Sequence, residues 1–154
     1  MRNISRVFID LDGTLAGYNE WRGFFWNTFQ LFKTGLLMDI PQYSWNILTS
    51  RPRVDRIFIN KLCKKHKIKP EKIITVDSWR YPFKNDEDVI NWKSSILYKS
   101  LNNFMVDCVV YVDNDLKLLS QILPHKNLIL CSSASLKNVI EELNTDKENI
   151  YDTM

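Results

Sequence analysis

The chain has few residues of the kinds that interrupt or cross-link a fold: four glycines, five prolines and three cysteines among 154 residues. So few glycines and prolines leave no flexible linker or low-complexity tract. Cys63, Cys108 and Cys131 are an odd number at wide spacings, which does not suit a disulfide scaffold. They suit free buried thiols in a reducing compartment, and we therefore expect a cytoplasmic protein.

Long hydrophobic runs are also lacking. No apolar stretch approaches the roughly 20 residues that cross a bilayer, and Arg2 and Arg6 flank no apolar run of the signal-peptide type. We therefore expect no membrane association. The net charge of +3 is only mildly basic. It is compatible with a phosphorylated partner but does not require one.

The composition is that of an ordinary folded domain, with 45% hydrophobic and 25% charged residues. The length fits a single domain, for which about 100–150 residues is the commonest size. We assign residues 1–144 to this domain. Residues 145–154 are polar and lack periodicity, and we expect them to form a tail that frays.

The most informative segment is residues 8–15, with the sequence FIDLDGTL. A β-branched, apolar stretch ends there in Asp10 and Asp12. Because side chains alternate along a strand, both carboxylates should face one cleft while Leu11 faces away. Gly13 permits a sharp turn and a close approach of the backbone to a ligand. Two adjacent carboxylates repel each other unless a cation or a shared proton lies between them, so the segment predicts a metal site.

The same segment allows two other interpretations besides a metal site. Asp-x-Asp-Gly is also an ordinary turn at the end of a strand, because Asp and Gly are common turn residues. It resembles the start of an EF-hand calcium loop as well, but position twelve counted from Asp10 is Trp21, where that loop needs Glu. The calcium loop is excluded, and the turn remains as the alternative.

Hydrophobic periodicity predicts strands that alternate with helices. The predicted strands are Val7–Ile9, Tyr43–Leu48, Lys72–Val76, Cys108–Val112 and Asn127–Cys131. The predicted helices lie within Glu20–Leu37 and at Val54–Lys67, Asp86–Leu101, Leu116–Leu123 and Leu136–Leu143. Such alternation implies a parallel sheet with helices on both faces.

Three polar clusters follow predicted strands at the point where each strand ends. They are Asp10 with Asp12, the run Thr49-Ser50-Arg51, and Asp113 with Asn114. In open parallel sheets, ligands bind beyond the carboxyl ends of the strands. The sequence therefore predicts one composite site built from segments that are distant along the chain.

Four segments in order resemble the motifs of the haloacid dehalogenase (HAD) superfamily: DLDGTL at 10–15, ILTSRP at 47–52, Lys93, and VVYVDN at 109–114. The resemblance covers roughly residues 5–131, which is most of the chain and the size of an ordinary domain. It implies an α/β fold, a Rossmann-like three-layer sandwich whose central parallel sheet has the strand order 5-4-1-2-3. It also implies magnesium-dependent phosphoryl transfer.

The resemblance assigns roles to particular residues. Asp10 would be the nucleophile that forms an aspartyl phosphate. Mg²⁺ would be held by the Asp10 carboxylate, the backbone carbonyl of Asp12 and Asp113. The Asp12 side chain would serve as general acid and base. Thr49 would hold phosphate oxygens and Lys93 would balance the accumulated negative charge.

Further binding candidates lie beside these residues. Gly13 and Ser50 are candidates for contact with the substrate through the loops that carry them, and Arg51 is placed where it could add a bidentate phosphate contact. Asn114 departs from the commoner Asp-Asp pair, but its amide oxygen remains a legitimate magnesium ligand. Capless phosphatases of the carboxy-terminal-domain type within the superfamily carry the same Asp-Asn pair.

Two of these assignments have competitors. Asp115 could compensate for the charge that Asn114 lacks, but it also suits a helix cap. Lys93 lies on a predicted helix whose lysines could simply be solvated, and Lys99 is a nearby alternative.

The spacing of the motifs leaves no room for a large cap domain, since about 35 and about 40 residues separate successive motifs. The segment from Trp21 to Phe32 is the remaining candidate for a lid. We expect its phenylalanines at helical spacing to be core residues: Phe25, Phe29 and Phe32. We expect the cleft rim to include Trp21, Arg22 and Trp26.

The run Trp79-Arg80-Tyr81-Pro82-Phe83-Lys84 interleaves aromatic and cationic residues after the third strand. This pattern suits base stacking and phosphate contact, with Arg80 as a binding candidate. It equally suits a surface loop pinned by its own aromatics. Together with Thr49-Ser50-Arg51 it suggests a nucleotide or nucleic-acid end as the phosphorylated substrate.

The sequence thus predicts a magnesium-dependent phosphomonoesterase. Two functions of other classes stay open. One is a non-catalytic module that binds nucleic acid or protein on the same scaffold. The other is a phosphotransferase, which would pass the phosphate to an alcohol instead of water.

Overall fold

The computed structural model of the protein describes residues 4–17, 22–103 and 107–151. Its strands are β1 Ile4–Ile9, β2 Trp45–Pro52, β3 Lys72–Val76, β4 Cys108–Val112 and β5 Leu128–Cys131. They form one sheet in the order β3-β2-β1-β4-β5, with every neighbouring pair parallel. Viewed from the other edge, this is the predicted order 5-4-1-2-3. The α/β class and the Rossmann-like sheet are confirmed.

The helices cover both faces of the sheet and complete three layers. They are α1 Phe24–Lys33, α2 Arg56–His66, α3 Asp86–Leu101, α4 Leu116–Gln121 and α5 Leu136–Tyr151. Because side chains alternate along β1, Val7 and Ile9 enter one apolar cluster, which contains residues of α1, α2 and α5. Phe8 enters a second cluster, which contains residues of α3 and α4. The predicted period of two thus fixes both layers.

The described segments that connect the strands are short. Between β1 and β2 they contain α1 as their one helix, and between β2 and β3 they contain a 3-10 turn at Arg53–Asp55 followed by α2. These described parts contain no cap domain, as the motif spacing predicts. Within 4–17, 22–103 and 107–151, no helix combines the length and the apolar character that crossing a bilayer requires.

Several element boundaries differ from the predicted ones, among them those of β2, α2 and α5. Strand β2 continues through the polar run to Pro52, with a shift of register against β3 between Leu48 and Pro52. The helix predicted from Val54 begins as the 3-10 turn, and Ile57 is exposed. Helix α5 continues to Tyr151 instead of ending before the predicted polar tail. Polar residues on a helix surface carry no apolar period, so sequence reading ended this helix too early.

The prediction that three phenylalanines of α1 are core residues is wrong for two of them. Phe25 is 87% exposed and Phe29 is 58% exposed, whereas Phe32 packs against the core. The buried stripe of α1 instead runs through Asn27, Gln30 and Leu31. Two polar residues occupy that stripe, so the aromatic period marks the outer face of the helix.

The rim candidates of the same segment have separate outcomes. Trp26 and Arg22 are exposed, and the Arg22 guanidinium lies 6.0 Å from the centroid of the Trp26 ring. Trp21 lies outside the described residues.

Candidate active site

The three polar clusters converge on one cleft at the carboxyl edge of the sheet, as predicted. The cleft has a volume of about 280 Å³ and draws residues from the turn after β1, from α1, β2, the loop after β3 and α3, and from α4 and the segment before it. Its charged lining comprises Asp10, Asp12, Arg51, Asp86, Lys93, Asp113, Asp115 and Lys117. Five carboxylates face three cationic groups there, so the cleft has a surplus of negative charge that favours a bound cation.

The turn after β1 places its two acids as the alternation of the strand predicts. Asp10 is buried and lines the cleft, while Leu11 is buried in the core on the other side. The hydroxyl of Thr14 donates to Asp10 Oδ2 at 3.3 Å. Gly13 has a φ of 75°, in the left-handed region that favours glycine. Its N–H donates to the carbonyl of Ala16 at 2.9 Å, so Gly13 shapes the turn and this amide is engaged within it.

Lys93 of α3 links the acids of β1 and β4. Its Nζ lies 2.7 Å from Asp10 Oδ1, 3.3 Å from Asp113 Oδ2 and 2.9 Å from the Tyr111 hydroxyl. The side chain is buried, whereas that of Lys99 is exposed. The structure therefore places Lys93, and not its competitor, beside the predicted nucleophile.

The protonation of this group follows from its burial. Burial and the negative charge of Asp113 raise the pKa of Asp10 to about 7, although Lys93 acts in the opposite direction. Burial by itself would lower the pKa of Lys93, but Asp10 and Asp113 raise it overall. Burial and the same two acids raise the pKa of Tyr111 well above its usual value. Tyr111 therefore remains a neutral donor to Asp113 Oδ2, at 2.5 Å.

Arg51 does not point its fork at an open phosphate position but holds two carboxylates. Its Nε and Nη2 donate to the two oxygens of Asp12 at 2.8 and 2.7 Å. Its Nη1 donates to Asp55 Oδ2 at 3.3 Å and lies 3.5 Å from the Thr28 hydroxyl. The guanidinium thus makes a bidentate contact with Asp12, whereas the sequence predicted a bidentate contact with a phosphate. Arg51 thereby fixes the orientation of the proposed acid–base group.

Asp55 completes this arrangement from the 3-10 turn. Its side chain is fully buried, and its Oδ1 has no hydrogen-bond partner among the described residues. Burial raises the pKa of Asp55, although the Arg51 guanidinium acts in the opposite direction. Burying the Asp55 carboxylate costs free energy, and the ion pair with Arg51 offsets part of that cost.

Arg51→Lys is expected to lower the free energy of unfolding by about 1–2 kcal/mol. Lysine keeps the charge, but a single ammonium cannot reproduce the fork that spans Asp12 and Asp55. The measurement is urea denaturation, with Arg53→Lys as the control. Arg53 is half-exposed and pairs with the exposed Asp77, so its replacement should change stability by less than about 0.5 kcal/mol. Equal losses in the two variants would contradict the bridging role.

The two residues before Arg51 have different placements. Thr49 is buried, and its hydroxyl accepts from the Arg51 backbone N–H at 3.3 Å. Its side chain is not part of the cleft lining, so here it braces the strand end. Ser50 does line the cleft. It contacts Tyr81, where burial raises the phenol pKa and a hydrogen bond with Ser50 opposes that rise.

Asn114 ties loops together instead of facing the cleft. Its Nδ2 donates to the carbonyl of Gly13 at 3.0 Å, and its Oδ1 accepts from the N–H of Ser133 at 2.9 Å. Its own N–H donates to Thr14 at 3.0 Å. The amide predicted as a metal ligand is thus engaged between the segments that follow β1 and β5, and it is absent from the lining.

Asp113 and Asp115, which follow β4, have different hydrogen-bond partners. Asp113 Oδ1 accepts from the N–H of Asp115 at 2.8 Å, while Oδ2 receives Lys93 and Tyr111. Asp115 accepts from the N–H of Leu118 at 3.1 Å. The helix-capping interpretation of Asp115 is therefore confirmed.

The residues present fit a hard divalent cation. Asp10, Asp12 and Asp113 offer carboxylate oxygens to the cleft, which are the ligands that such a cation prefers, and the raised pKa of Asp10 next to Asp113 indicates that the two negative charges oppose each other. Within the described residues, no group of three or more His, Cys, Asp or Glu side chains is arranged to hold an ion. Mg²⁺ suits such a site because it binds through one or two carboxylates and keeps several waters. Asp10 and Asp113, with the Asp12 carbonyl, would hold it.

Sequence reasoning missed three members of the site. Tyr111 lies two residues before Asp113 on β4, so the strand period alone could have placed it on the same side. The pairing of Asp55 with Arg51 depends on the 3-10 turn, for which the sequence offers no signal. The third, Asn27, lines the cleft from α1. It lies on the buried stripe that the aromatic period concealed. Arg80, a predicted contact, is exposed outside the lining.

Comparisons with known proteins return no relative. No protein-family model, no curated protein and no solved structure matches the chain.

Proposed function

We propose that the protein is a magnesium-dependent phosphomonoester hydrolase of the HAD type that works through an aspartyl phosphate. The observation that carries the proposal is the triangle of Asp10, Lys93 and Asp113 in one cleft, with Lys93 Nζ 2.7 Å from Asp10 and 3.3 Å from Asp113. It combines a nucleophilic carboxylate, a charge-balancing ammonium and a second carboxylate for a cation. Phosphoryl transfer depends on such positioned charges.

In the proposed reaction, an oxygen of Asp10 attacks phosphorus, and a new O–P bond forms as the ester O–P bond breaks. Asp12 gives a proton to the departing ester oxygen. Asp12 then takes a proton from the water that attacks the aspartyl phosphate, so that phosphate leaves and Asp10 is regenerated. Bound Mg²⁺ would neutralise negative charge on the phosphoryl oxygens.

The positions of the other residues support this division of roles. Arg51 holds both oxygens of Asp12, and each oxygen of an ionised carboxylate keeps a further lone pair for a proton in transit. Lys93 lies where charge accumulates when a phosphate meets Asp10. Ser50 faces the cleft as a candidate phosphate contact. Thr49 supports the strand end that carries Ser50 and Arg51.

The substrate in this proposal is a nucleotide or a nucleic-acid end. The support is the loop after β3, from which Tyr81 reaches the cleft next to Ser50. The proposed compartment is the cytoplasm. Its support is that Cys63, Cys108 and Cys131 are buried and form no disulfide, as befits reduced thiols.

The test is release of phosphate from an aryl phosphate by the purified protein with Mg²⁺. We expect turnover that EDTA abolishes and that added Mg²⁺ restores, because a phosphate cannot approach the Asp10 carboxylate without charge neutralisation. Adding an alcohol separates the two enzymatic outcomes: transfer to the alcohol would indicate a phosphotransferase. No turnover of aryl phosphates, mononucleotides, phosphorylated oligonucleotides or phosphopeptides would contradict the proposal and favour a binding module.

A further inference from the structure

The loop after β3 exposes two aromatic rings beside the cleft. Trp79 is 71% exposed and Tyr81 is 51% exposed, and Tyr81 also lines the cleft. Large aromatic side chains are costly to leave in water. The catalytic roles proposed above give these rings no function. We call Trp79 and Tyr81 together the aromatic strip.

The aromatic strip belongs to a loop that is held in place. The N–H of Arg53 donates to the carbonyl of Ser78 at 3.0 Å, and the Arg53 guanidinium pairs with Asp77 at 3.1 Å. At the other end, the Tyr81 ring meets Phe83 edge-on, with ring centroids 5.4 Å apart. The loop is therefore anchored to the end of β2 and supports its rings before any ligand binds.

The same anchoring ties the aromatic strip to the proposed catalytic helix. Phe83 packs on Trp92 of α3 with ring centroids 5.8 Å apart, and Trp92 precedes Lys93 in the chain. A ligand that stacks on Tyr81 would thus lie at a fixed place relative to Lys93.

Cationic groups accompany the rings. The Arg53 guanidinium lies 5.1 Å from the centroid of the Trp79 ring, a distance at which cation and ring attract each other. Arg80 separates the two rings in sequence and Lys84 follows them, and both are exposed. Acidic Asp77 is already paired with Arg53. The surface therefore combines exposed π-faces with positive charge, which is the chemistry that recognises a single nucleic-acid strand.

We propose that the aromatic strip binds the end of a single-stranded nucleic acid, with the last base on Tyr81, the next base on Trp79 and a backbone phosphate near Arg80. The terminal phosphate then enters the cleft towards Asp10. That last placement rests on the proposed phosphatase function, whereas the stacking itself does not.

The arrangement favours a strand over a mononucleotide because it offers two ring positions, of which one lies in the cleft and one outside it. Trp79 and Tyr81 are two residues apart, so their Cα atoms are separated by at most about 7 Å. Neighbouring bases of a flexible strand can match that spacing. A mononucleotide bound at the cleft would leave Trp79 without a partner. A phosphopeptide would use the positive charge but would not need both rings.

The experiment measures the affinity of a labelled single-stranded oligonucleotide by fluorescence anisotropy, with the full chain in EDTA so that no turnover occurs. We expect Trp79→Ala and Tyr81→Leu each to raise Kd about tenfold, the size of one lost base–aromatic stack. Leu123→Ala is the matched control, because Leu123 is 72% exposed and lies after α4. It should change Kd by less than about twofold.

Salt dependence separates stacking from charge. Arg80→Gln should reduce the slope of log Kd against log salt concentration by about 0.7, the value for one phosphate contact on a single strand. Trp79→Ala should leave that slope unchanged. A Trp79→Ala variant with an altered slope and no altered affinity would overturn the assignment of stacking.

The remaining outcomes are decisive in the same way. Equal Kd values for Trp79→Ala and Leu123→Ala, a mononucleotide that competes as well as the strand, or a phosphopeptide that competes in a Trp79-dependent manner would each overturn the proposal. Failure of the phosphatase proposal is recognised separately. If strand binding depends on Trp79 but no aryl phosphate is turned over, the proposed role of the aromatic strip stands and the proposed phosphatase function is contradicted.

Discussion

Asp10→Asn is expected to lower turnover of an aryl phosphate by about 10⁴-fold or more while the protein stays folded. The amide of asparagine cannot form the proposed acyl phosphate, so the loss is chemical. The fold should tolerate the change because burial and Asp113 raise the pKa of Asp10 to about 7. At neutral pH the native Asp10 is therefore already protonated part of the time, and a neutral amide of the same shape costs little.

The pH dependence of stability provides the check on this argument. In metal-free buffer the raised pKa means that the folded protein binds the Asp10 proton more tightly than the unfolded chain, whose pKa is 3.8. This contribution is fully present below pH 3.8 and is lost as the pH rises through about 7. Asp10→Asn lacks it. In EDTA, the wild-type protein should therefore lose stability relative to Asp10→Asn between pH 4 and pH 7.

Two measurements decide the outcome: phosphate release with Mg²⁺, and urea denaturation of both proteins across that pH range in EDTA. Turnover of Asp10→Asn at the wild-type rate would contradict the nucleophile assignment. A constant stability difference from pH 4 to pH 7 would contradict the electrostatic description of the cleft. The two results are independent, because denaturation needs neither metal nor substrate.

Lys93→Met is expected to destabilise the metal-free protein by about 3–5 kcal/mol. Methionine fills much of the same volume, so packing is largely kept. What is lost is the ammonium that lies between Asp10 and Asp113 and touches the hydroxyl of Tyr111. Two carboxylates then remain buried against each other without compensation. The measurement is the free energy of unfolding from urea denaturation in EDTA at a pH above 7.

The same helix offers a matched control. Lys99→Met removes an exposed lysine six residues further along α3 and should change stability by less than about 0.5 kcal/mol. A double variant with Asp10→Asn isolates the electrostatic part, because the cost of removing Lys93 should shrink once Asp10 is neutral. Mg²⁺ should restore more stability to Lys93→Met than to the wild type, since a bound cation replaces the missing charge. Equal costs for Lys93→Met and Lys99→Met would contradict the burial of Lys93 between the acids.

The parts of this structure that follow from local chemistry were predictable from the sequence. The five strands and their parallel pairing follow from apolar runs that alternate with helices, and the convergence of Asp10, Arg51 and Asp113 follows from the rule that polar strand ends share one edge. The strand order and the place of Lys93 on α3 were expected from the resemblance to the superfamily and not from the strand pattern. Helix α3 begins and ends at the predicted residues because acids and Asn85 open it clearly. Asn85 accepts from the N–H of Asp88, as a helix cap should.

The parts that were not predictable depend on competition between residues. Arg51 was assigned to a substrate phosphate, because the sequence does not reveal that Asp12 lies within reach of its fork. Asn114 was assigned by its position next to Asp113, but its amide reaches the loops after β1 and β5 instead. Long side chains can turn to either of two faces, and only the packed structure decides which.

The reversal in α1 has a related cause. Phe25 and Phe29 recur at helical spacing, which usually marks a buried stripe. Asn27, however, lines the cleft, and a helix has only one face towards the sheet. Asn27 therefore faces inward, and Phe25 and Phe29 face solvent. A hydrophobic period therefore misleads where a site replaces part of the core.

The central position of β1 has a consequence for how the protein matures. During synthesis β1 leaves the ribosome before both of its neighbours in the sheet, β2 and β4, and Asp10 meets Asp113 only after β4 has been synthesised. Until then β1, β2 and β3 can pair, but β1 keeps an open edge and the acid pair is incomplete. Assembly of the proposed catalytic centre is therefore a late event of folding, and a chain truncated ahead of residue 108 would lack both Asp113 and the strand β4 that covers this edge of β1.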